Sequence, residues 1–249
     1  MNRTRLTRLA PLLAGLGLGA SAAADPTAEE LLNRVDDFAR GDSSHAVMRM
    51  TVKTKRYERS MEMEAWSKGT ERSLVRILSP AKEKGVATLK VDDNIWNYLP
   101  KVDRTMKVPA GMMSGSWMGS HITNDDLVKE NRLSEDFTYQ ITQKPEGDQG
   151  HWEVEAVPKP DAAIVWGKVV ASVHPDLQPR DVRYFDEDGV LVRTMSFHDV
   201  QEFDGVRLPA RMRVEPAEDP GEYTEITYTS LDFDVALDDD AFGLQALRK

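Results

Sequence analysis

Short runs of alternating apolar and polar residues occupy most of the chain between residues 46 and 233. In the first of these runs, Ala46, Met48, Met50 and Val52 would lie on one face of a strand. A period of two residues is typical of a strand with one covered face, and such strands usually belong to antiparallel sheets. The pattern predicts about eleven or twelve strands in one large, curved antiparallel sheet, which is a mainly β (α+β) fold class.

Helix signals are few. Residues 26–39 have an apolar stripe, and Thr27 can cap them together with Glu30, three residues on. A second, short helix is predicted over residues 124–129, and residues 238–247 read as a short helix or turn. A sheet of this size curls strongly, and two or three short helices cannot fill its inner side. We therefore expect a cavity, as in barrels that hold ligands.

The N-terminus has the pattern of a secretory signal. Arg3, Arg5 and Arg8 precede an apolar run at residues 9–20, which is too short to span a membrane, and an A-x-A site ends at Ala24. We therefore expect a signal peptide at residues 1–24 and one exported domain at residues 25–249.

Composition excludes several classes of function. The chain has no cysteine, so it has neither disulfides nor a thiol nucleophile. Its formal net charge is −10, and removal of the arginine-containing signal would make it more negative. That balance opposes nucleic-acid binding and stable adhesion to anionic membranes. We expect no nucleic-acid partner and only transient membrane contact.

The segment from residue 106 to 127 combines large apolar side chains with glycines and has no helical or strand periodicity. Its apolar residues are Met106, Met112, Met113, Trp117 and Met118, and its candidate hinges are Gly111, Gly115 and Gly119. Methionine is flexible and polarizable, so it adapts to irregular apolar ligands. The segment is interpreted as a movable flap over an apolar ligand. The alternative is a loop packed on the core.

Methionines are concentrated in one part of the sequence. Apart from Met1, eight of the ten methionines fall between residues 48 and 118, including the strand pairs Met48 with Met50 and Met61 with Met63. We interpret this set as the lining of a cleft for acyl chains, with Trp96, Tyr98 and Trp117 nearby or at its mouth. A methionine-rich core is the alternative.

Signals for catalysis are weak. The five histidines are scattered without metal-binding spacing, and no nucleotide-binding fingerprint occurs. Ser114 and Ser116 lie outside a G-x-S-x-G motif, and Asp125-Asp126 reads as helix-capping carboxylates. We expect no catalytic residue, no metal site and no cofactor. A hydrolase that uses Ser116 and His121 is the alternative.

Several motifs resemble one family of bacterial envelope proteins. They are Leu78-Ser79-Pro80-Ala81 with Gly85-Val86-Ala87, the run at residues 94–100, W-M-G-S-x-x-T-N-D-D-L at residues 117–127, and D-G-V-R-L-P at residues 204–209. Together they resemble the outer-membrane lipoprotein-sorting family, which is similar in fold to the periplasmic lipoprotein carrier LolA. The resemblance implies an unclosed half-barrel of about eleven strands with helices over an apolar cavity.

The resemblance also implies a function without catalysis. A periplasmic carrier of lipoproteins or other lipids is expected, with an inner-membrane transporter, such as a resistance-nodulation-division type exporter, as partner. Because the W-M-G-S block is not found in LolA itself, no LolA cargo or binding residue is transferred. The competing class is a periplasmic adaptor that docks on such an exporter without carrying lipid.

Overall fold

A computed structural model describes residues 24–39, 41–128, 133–147, 150–162 and 164–249. The expected signal peptide, apart from Ala24, lies outside these residues. Three α-helices occur at Ala28–Asp36 (α1), Asn124–Val128 (α2) and Leu133–Asp136 (α3). Short 3-10 turns occur at Pro100–Val102, Ala110–Met112, Trp117–Gly119, Asp239–Phe242 and Ala246–Arg248.

The described chain contains thirteen strands, all in one antiparallel sheet. They are Ser43–Lys53 (β1), Glu58–Lys68 (β2), Arg72–Ser79 (β3), Ala87–Val91 (β4), Asn94–Leu99 (β5), Arg104–Lys107 (β6), Phe137–Gln143 (β7), Trp152–Pro158 (β8), Lys168–Val173 (β9), Pro179–Phe185 (β10), Leu191–Phe203 (β11), Val206–Pro216 (β12) and Tyr223–Phe233 (β13). The number exceeds the expected eleven or twelve because every short alternating run, down to the four-residue β6, pairs in the sheet.

The sheet consists of two meanders that meet in its centre. Strands β1 to β6 follow one another to one edge, and β7 to β13 run from the other edge back to β1. The edge strands β6 and β7 are consecutive in sequence and do not pair with each other in the described residues, so the sheet is unclosed. The fold class and the unclosed architecture predicted from the sequence are confirmed. The chain between the edges must cross one face of the sheet, and its part at residues 108–128 is called the crossover segment.

Local sequence signals account for the first helix and for one hairpin. Thr27 accepts a hydrogen bond from the Glu30 amide, and the Glu30 carboxylate accepts one from the Thr27 amide, which is the predicted capping box. Asp204 and Gly205, with φ of 47° and 79°, connect β11 to β12 in a two-residue turn. The capping box predicted at Thr27 and Glu30 is confirmed.

Side chains pack on both faces of the sheet. The inner face carries α1 and the crossover segment, and it contains two adjoining apolar clusters that share Phe38, Met195 and Met212 at their border. On the outer face, Leu74, Leu89 and neighbouring residues pack against the C-terminal 3-10 turns. No helix in the described part of the chain has both the length and the apolar character needed to cross a bilayer.

Candidate functional site

A cavity of about 310 Å³ lies between the inner face of the sheet, the end of α1 and the crossover segment. Its floor is formed by strands from both meanders, and its roof by α1 and the crossover segment. The apolar lining residues include Phe38, Ala46, Met48, Ala65, Val75, Trp117, Ile122, Leu127, Met195, Phe197, Met212, Ile226 and Leu231. This volume is at the lower end of the range of about 300–1,000 Å³ found for ligand pockets.

Strand register brings the lining residues together from distant parts of the chain. Met48 on β1 lies opposite Met63 on β2 and Tyr228 on β13. Met212 on β12 lies between Phe197 on β11 and Ile226 on β13. The two meanders therefore contribute to one continuous apolar surface across their central junction.

The roof is anchored at Trp117. Only 4% of this residue is exposed, and its Nε1 donates a hydrogen bond of 3.1 Å to Oγ1 of Thr88 on β4. Further along, the His121 amide donates to Oγ1 of Thr224 on β13 at 2.9 Å. Ser116 and Thr123 form an isolated antiparallel β-bridge, which closes the loop that contains both anchors. The crossover segment is thus attached to the sheet in both meanders, on β4 and on β13, as it crosses the inner face.

The predicted flap residues occupy different environments. Trp117 lines the cavity and Met118 packs against the same cluster, whereas Met112 is 63% exposed. Met106 lies exposed on edge strand β6, and Met113 is half-buried. Among the described residues, only Trp117 and Met118 of this set contact the inner-face cluster or its cavity.

The three candidate hinge glycines also differ. Gly119 has a φ of +68°, and its carbonyl accepts a hydrogen bond from the Tyr57 hydroxyl at 2.7 Å. A Cβ at Gly115 would approach the Met112 carbonyl oxygen to 3.0 Å, whereas a Cβ at Gly111 would meet open space. Local geometry therefore requires glycine at residue 119 more than at residue 111. Movement of the flap about these residues stays a prediction.

The remaining predicted residues are divided between the two faces of the sheet. Met50, Met61 and Met63 are at most 1% exposed and pack in the same cluster as Met48, which lines the cavity. Trp96 and Tyr98 lie in the outer-face cluster, with the C-terminal turns. Contact of these residues with lipid stays a prediction.

A largely buried ion pair is one component of the polar part of the cavity wall. Nη1 and Nη2 of Arg193 on β11 donate to Oδ2 and Oδ1 of Asp126 on α2, at 2.8 and 2.7 Å. The Arg193 guanidinium also lies against two rings, 4.4 Å from the centroid of Tyr184 and 4.7 Å from that of Trp166. The pair joins the crossover segment to the second meander.

The electrostatics of this wall follow from burial and pairing. Burial opposes ionisation of Asp126, but the hydrogen bonds and charge of Arg193, together with hydrogen bonds from Thr123, outweigh it and lower the pKa of Asp126. Burial raises the pKa of Tyr184 to about 12. Asp126 is therefore a carboxylate and Tyr184 a neutral phenol at physiological pH.

Sequence reasoning did not identify Arg193 as a site residue. A signal for it exists, because Arg193 has the same phase as Met195 and Phe197 in an alternating strand. A charge at the apolar phase of a strand indicates a buried partner. Met195 and Met212, which lie outside the methionine-rich stretch, were also missed.

A second hollow is larger but has a different chemical character. It measures about 690 Å³ and lies between α1 and the turns that follow β9 and β11. Arg34, Asp37, Arg207 and Asp234 are among its lining residues, so charged groups of both signs surround it. The smaller cavity under the crossover segment is the better candidate for an apolar ligand.

Ser116 and His121, the two residues of the alternative hydrolase, hydrogen-bond to different groups. His121 contacts Thr224 and Glu222, whereas the Ser116 hydroxyl donates to the Ser120 carbonyl. The described part of the chain contains no group of three or more His, Cys, Asp or Glu side chains that could hold a metal ion.

The unclosed sheet and its covered inner face define a LolA-like fold. Three solved structures are similar. A DUF1329 family protein from Desulfovibrio piger has a TM-score of 0.77 and 24% identity over 90% of this chain and 100% of its own. An outer membrane lipoprotein-sorting protein domain from Vibrio parahaemolyticus has a TM-score of 0.73 and 22% identity over 90% and 98%. A LolA superfamily protein from Nitrosomonas europaea has a TM-score of 0.71 and 22% identity over 89% and 100%.

The resemblance to the lipoprotein-sorting family is thus confirmed at the level of fold. A family model described as "Uncharacterized protein" matches residues 69–249, and the chain belongs to that family. No match was found among curated proteins.

Proposed function

We propose that this protein is a carrier that shelters the acyl chains of a lipoprotein or lipid in the cavity under the crossover segment. The observation that supports the proposal is the cavity itself, which has a mainly apolar lining within a LolA-like sheet. The similar structure from Vibrio parahaemolyticus is described as a lipoprotein-sorting domain, so acylated proteins are one candidate cargo.

The energetics explain why such a cavity is needed. Burial of one CH₂ group is worth about 0.8 kcal/mol, so exposure of a sixteen-carbon chain to water costs on the order of 12 kcal/mol. A carrier must replace most of that lost apolar environment. Because the cavity measures only about 310 Å³, we infer that loading moves the crossover segment away from the sheet and enlarges the space.

The proposed setting is the periplasm, reached after removal of residues 1–24. An inner-membrane transporter, such as a resistance-nodulation-division type exporter, would load the carrier, which would deliver its cargo to the outer membrane. Contact with either membrane would be transient because the chain has a formal net charge of −10. In this proposal the protein has no catalytic role and needs no cofactor.

Native mass spectrometry tests the proposal. Protein purified without detergent should carry bound lipid, and Ala65→Phe should reduce its occupancy severalfold, because Ala65 lines the cavity opposite Ala46. Ala217→Phe is the matched control, since residue 217 is exposed at the end of β12. Circular dichroism of each variant verifies folding.

Two results would reject the carrier role. One is protein without bound lipid that also fails to take up added fatty acid or alcohol, and the other is equal occupancy in the wild type and a folded Ala65→Phe variant. In the first case, the adaptor interpretation would become the better one.

A further inference from the structure

Arg193 is a basic side chain in a mainly apolar wall. It is only 7% exposed, yet it lines the cavity of about 310 Å³. It also lines a smaller hollow of about 110 Å³, together with Asp126, Ser114 and Val165. The Arg193–Asp126 pair therefore lines both the apolar cavity and the smaller hollow, so a polar group attached to a buried tail could reach it.

Asp126 and Arg193 differ in the hydrogen bonds that they make apart from those to each other. Besides the two bonds from Arg193, Oδ2 of Asp126 accepts bonds of 2.8 Å from both the amide and the hydroxyl of Thr123. Asp126 would keep these partners if Arg193 were withdrawn. Arg193, in contrast, has a buried Nε without a hydrogen-bond partner among the described residues, even in the paired state.

This asymmetry limits how the pair can open. A buried guanidinium that loses its carboxylate is strongly destabilising, because its charge has left water without compensation. The rings of Trp166 and Tyr184 cover the guanidinium, but neither supplies the negative charge that a carboxylate supplies at physiological pH. A ligand that supplies its own anion would keep Arg193 paired while Asp126 and α2 move away.

We propose that the cargo is an acidic amphiphile, whose carboxylate or phosphate binds Arg193 in exchange for Asp126 while its hydrocarbon tail occupies the apolar cavity. The inference rests on the proposed carrier function and specifies its class of cargo. Planar, bidentate recognition of such oxyanions is the characteristic chemistry of arginine.

The surroundings require exchange and disfavour simple addition of an anion. Asp36 also lines the apolar cavity, where its Oδ2 accepts a hydrogen bond from the Leu133 amide at 2.9 Å, and Asp125 lines the smaller hollow. With Asp126 in place, a further anion would have to compete with the Asp126 carboxylate for the same guanidinium. Removal of the Asp126 charge should therefore favour the acidic ligand.

The test compares three ligands with the same ten-carbon tail: decanoate, decyl phosphate and 1-decanol. Affinities are measured by titration calorimetry on the full mature chain. Wild-type protein should bind at least one of the two anions severalfold more tightly than the alcohol, because the anion replaces the Asp126 bonds to Arg193 while Asp126 keeps its bonds from Thr123. The better of the two anions identifies the head group as a carboxylate or a phosphate.

Substitutions at Arg193 and Asp126 show which side chains produce the preference for an anion. Asp126→Asn should tighten binding of the preferred anion about tenfold and leave decanol binding unchanged. The double variant Arg193→Met/Asp126→Asn, which removes both charges, should abolish the preference but still bind decanol. Arg213→Met is the matched control, because Arg213 also lies over a ring, that of Tyr223, and pairs with Glu225, but does not line the cavity.

The outcomes separate the two proposals. Equal binding of anions and alcohol by the wild type, or an unchanged preference in the double variant, overturns the acidic-cargo inference and leaves the carrier function standing. Failure of all three ligands to bind rejects the carrier function as well.

Discussion

Trp117 is predicted to hold the crossover segment on the sheet, and its removal should separate local from global stability. The side chain is 4% exposed, packs among the inner-face methionines and donates to Thr88. A buried aromatic side chain of about 200 Å² corresponds to about 5 kcal/mol at 25 cal/mol per Å², as an upper bound. Allowing for partial collapse of the space, Trp117→Ala should lower the free energy of unfolding by about 4 kcal/mol.

The assay is urea denaturation followed by far-UV circular dichroism, combined with native-state hydrogen exchange. Trp152→Ala is the matched control, because Trp152 is 5% exposed but belongs to the cluster under α1. Both variants should lose similar stability, whereas only Trp117→Ala should accelerate exchange in residues 110–127 without global unfolding. A loss below about 1 kcal/mol, or equal acceleration of this segment in both variants, would refute the anchoring role.

Other predictions concern the glycines and the titratable groups of the cavity wall. Gly119→Ala should destabilise the protein by about 1 kcal/mol or more, because residue 119 has φ +68°. Gly111→Ala should change the unfolding free energy by less than about 0.5 kcal/mol, because a Cβ there meets open space. Similar losses for both variants in urea denaturation would contradict this difference. Because the pKa of Asp126 is lowered in the folded state, the ionised side chain contributes stability above the unfolded pKa of about 3.9, and this contribution is lost as pH falls through the folded pKa. The difference in unfolding free energy between wild type and Asp126→Asn should therefore shrink on acidification from about pH 6 to about pH 2. The pKa of Tyr184 is raised to about 12, which predicts the opposite dependence on pH. The contribution of the neutral Tyr184 side chain to stability should be lost as pH rises above about 10. Tyr184→Phe should therefore lose less unfolding free energy than the wild type at alkaline pH in the same assay.

Much of the fold is encoded locally and could be predicted from the sequence. The capping box at Thr27 and Glu30 depends on two residues three positions apart, and the turn at Asp204 and Gly205 depends on two neighbours that tolerate positive φ. Strand phase follows from alternation in the same way. Each of these patterns is formed by residues close together in sequence and does not depend on the rest of the chain.

The site was less predictable because it depends on register between distant strands. Met195 and Met212 line the cavity only because β11 and β12 lie beside β13, and β13 pairs with β1. Trp96 and Tyr98 are close to the crossover segment in sequence, yet the phase of β5 places them on the outer face. Proximity in sequence and richness in methionine did not determine which residues share the cavity.

Arg193 illustrates the same limit for charge. Its burial requires a carboxylate on α2, 67 residues away, and rings from β10 and from the loop before β9. The phase of Arg193 in β11 indicates an exception to the apolar pattern, but nothing near it in sequence identifies its partner. Asp126 was interpreted as a helix-capping residue, and its contacts with Thr123 agree with that role.

The pairing of β1 with β13 also determines when the sheet can finish folding. Ser44 pairs with Phe233, so the centre of the sheet joins the beginning of the folded chain to nearly its end. Until β13 has been synthesised, the edge of β1 that faces β13 stays unpaired. Such long-range pairing is slow and leaves unpaired edges open to association with other chains. The protein should therefore depend on protection of its first meander until residue 233 is available.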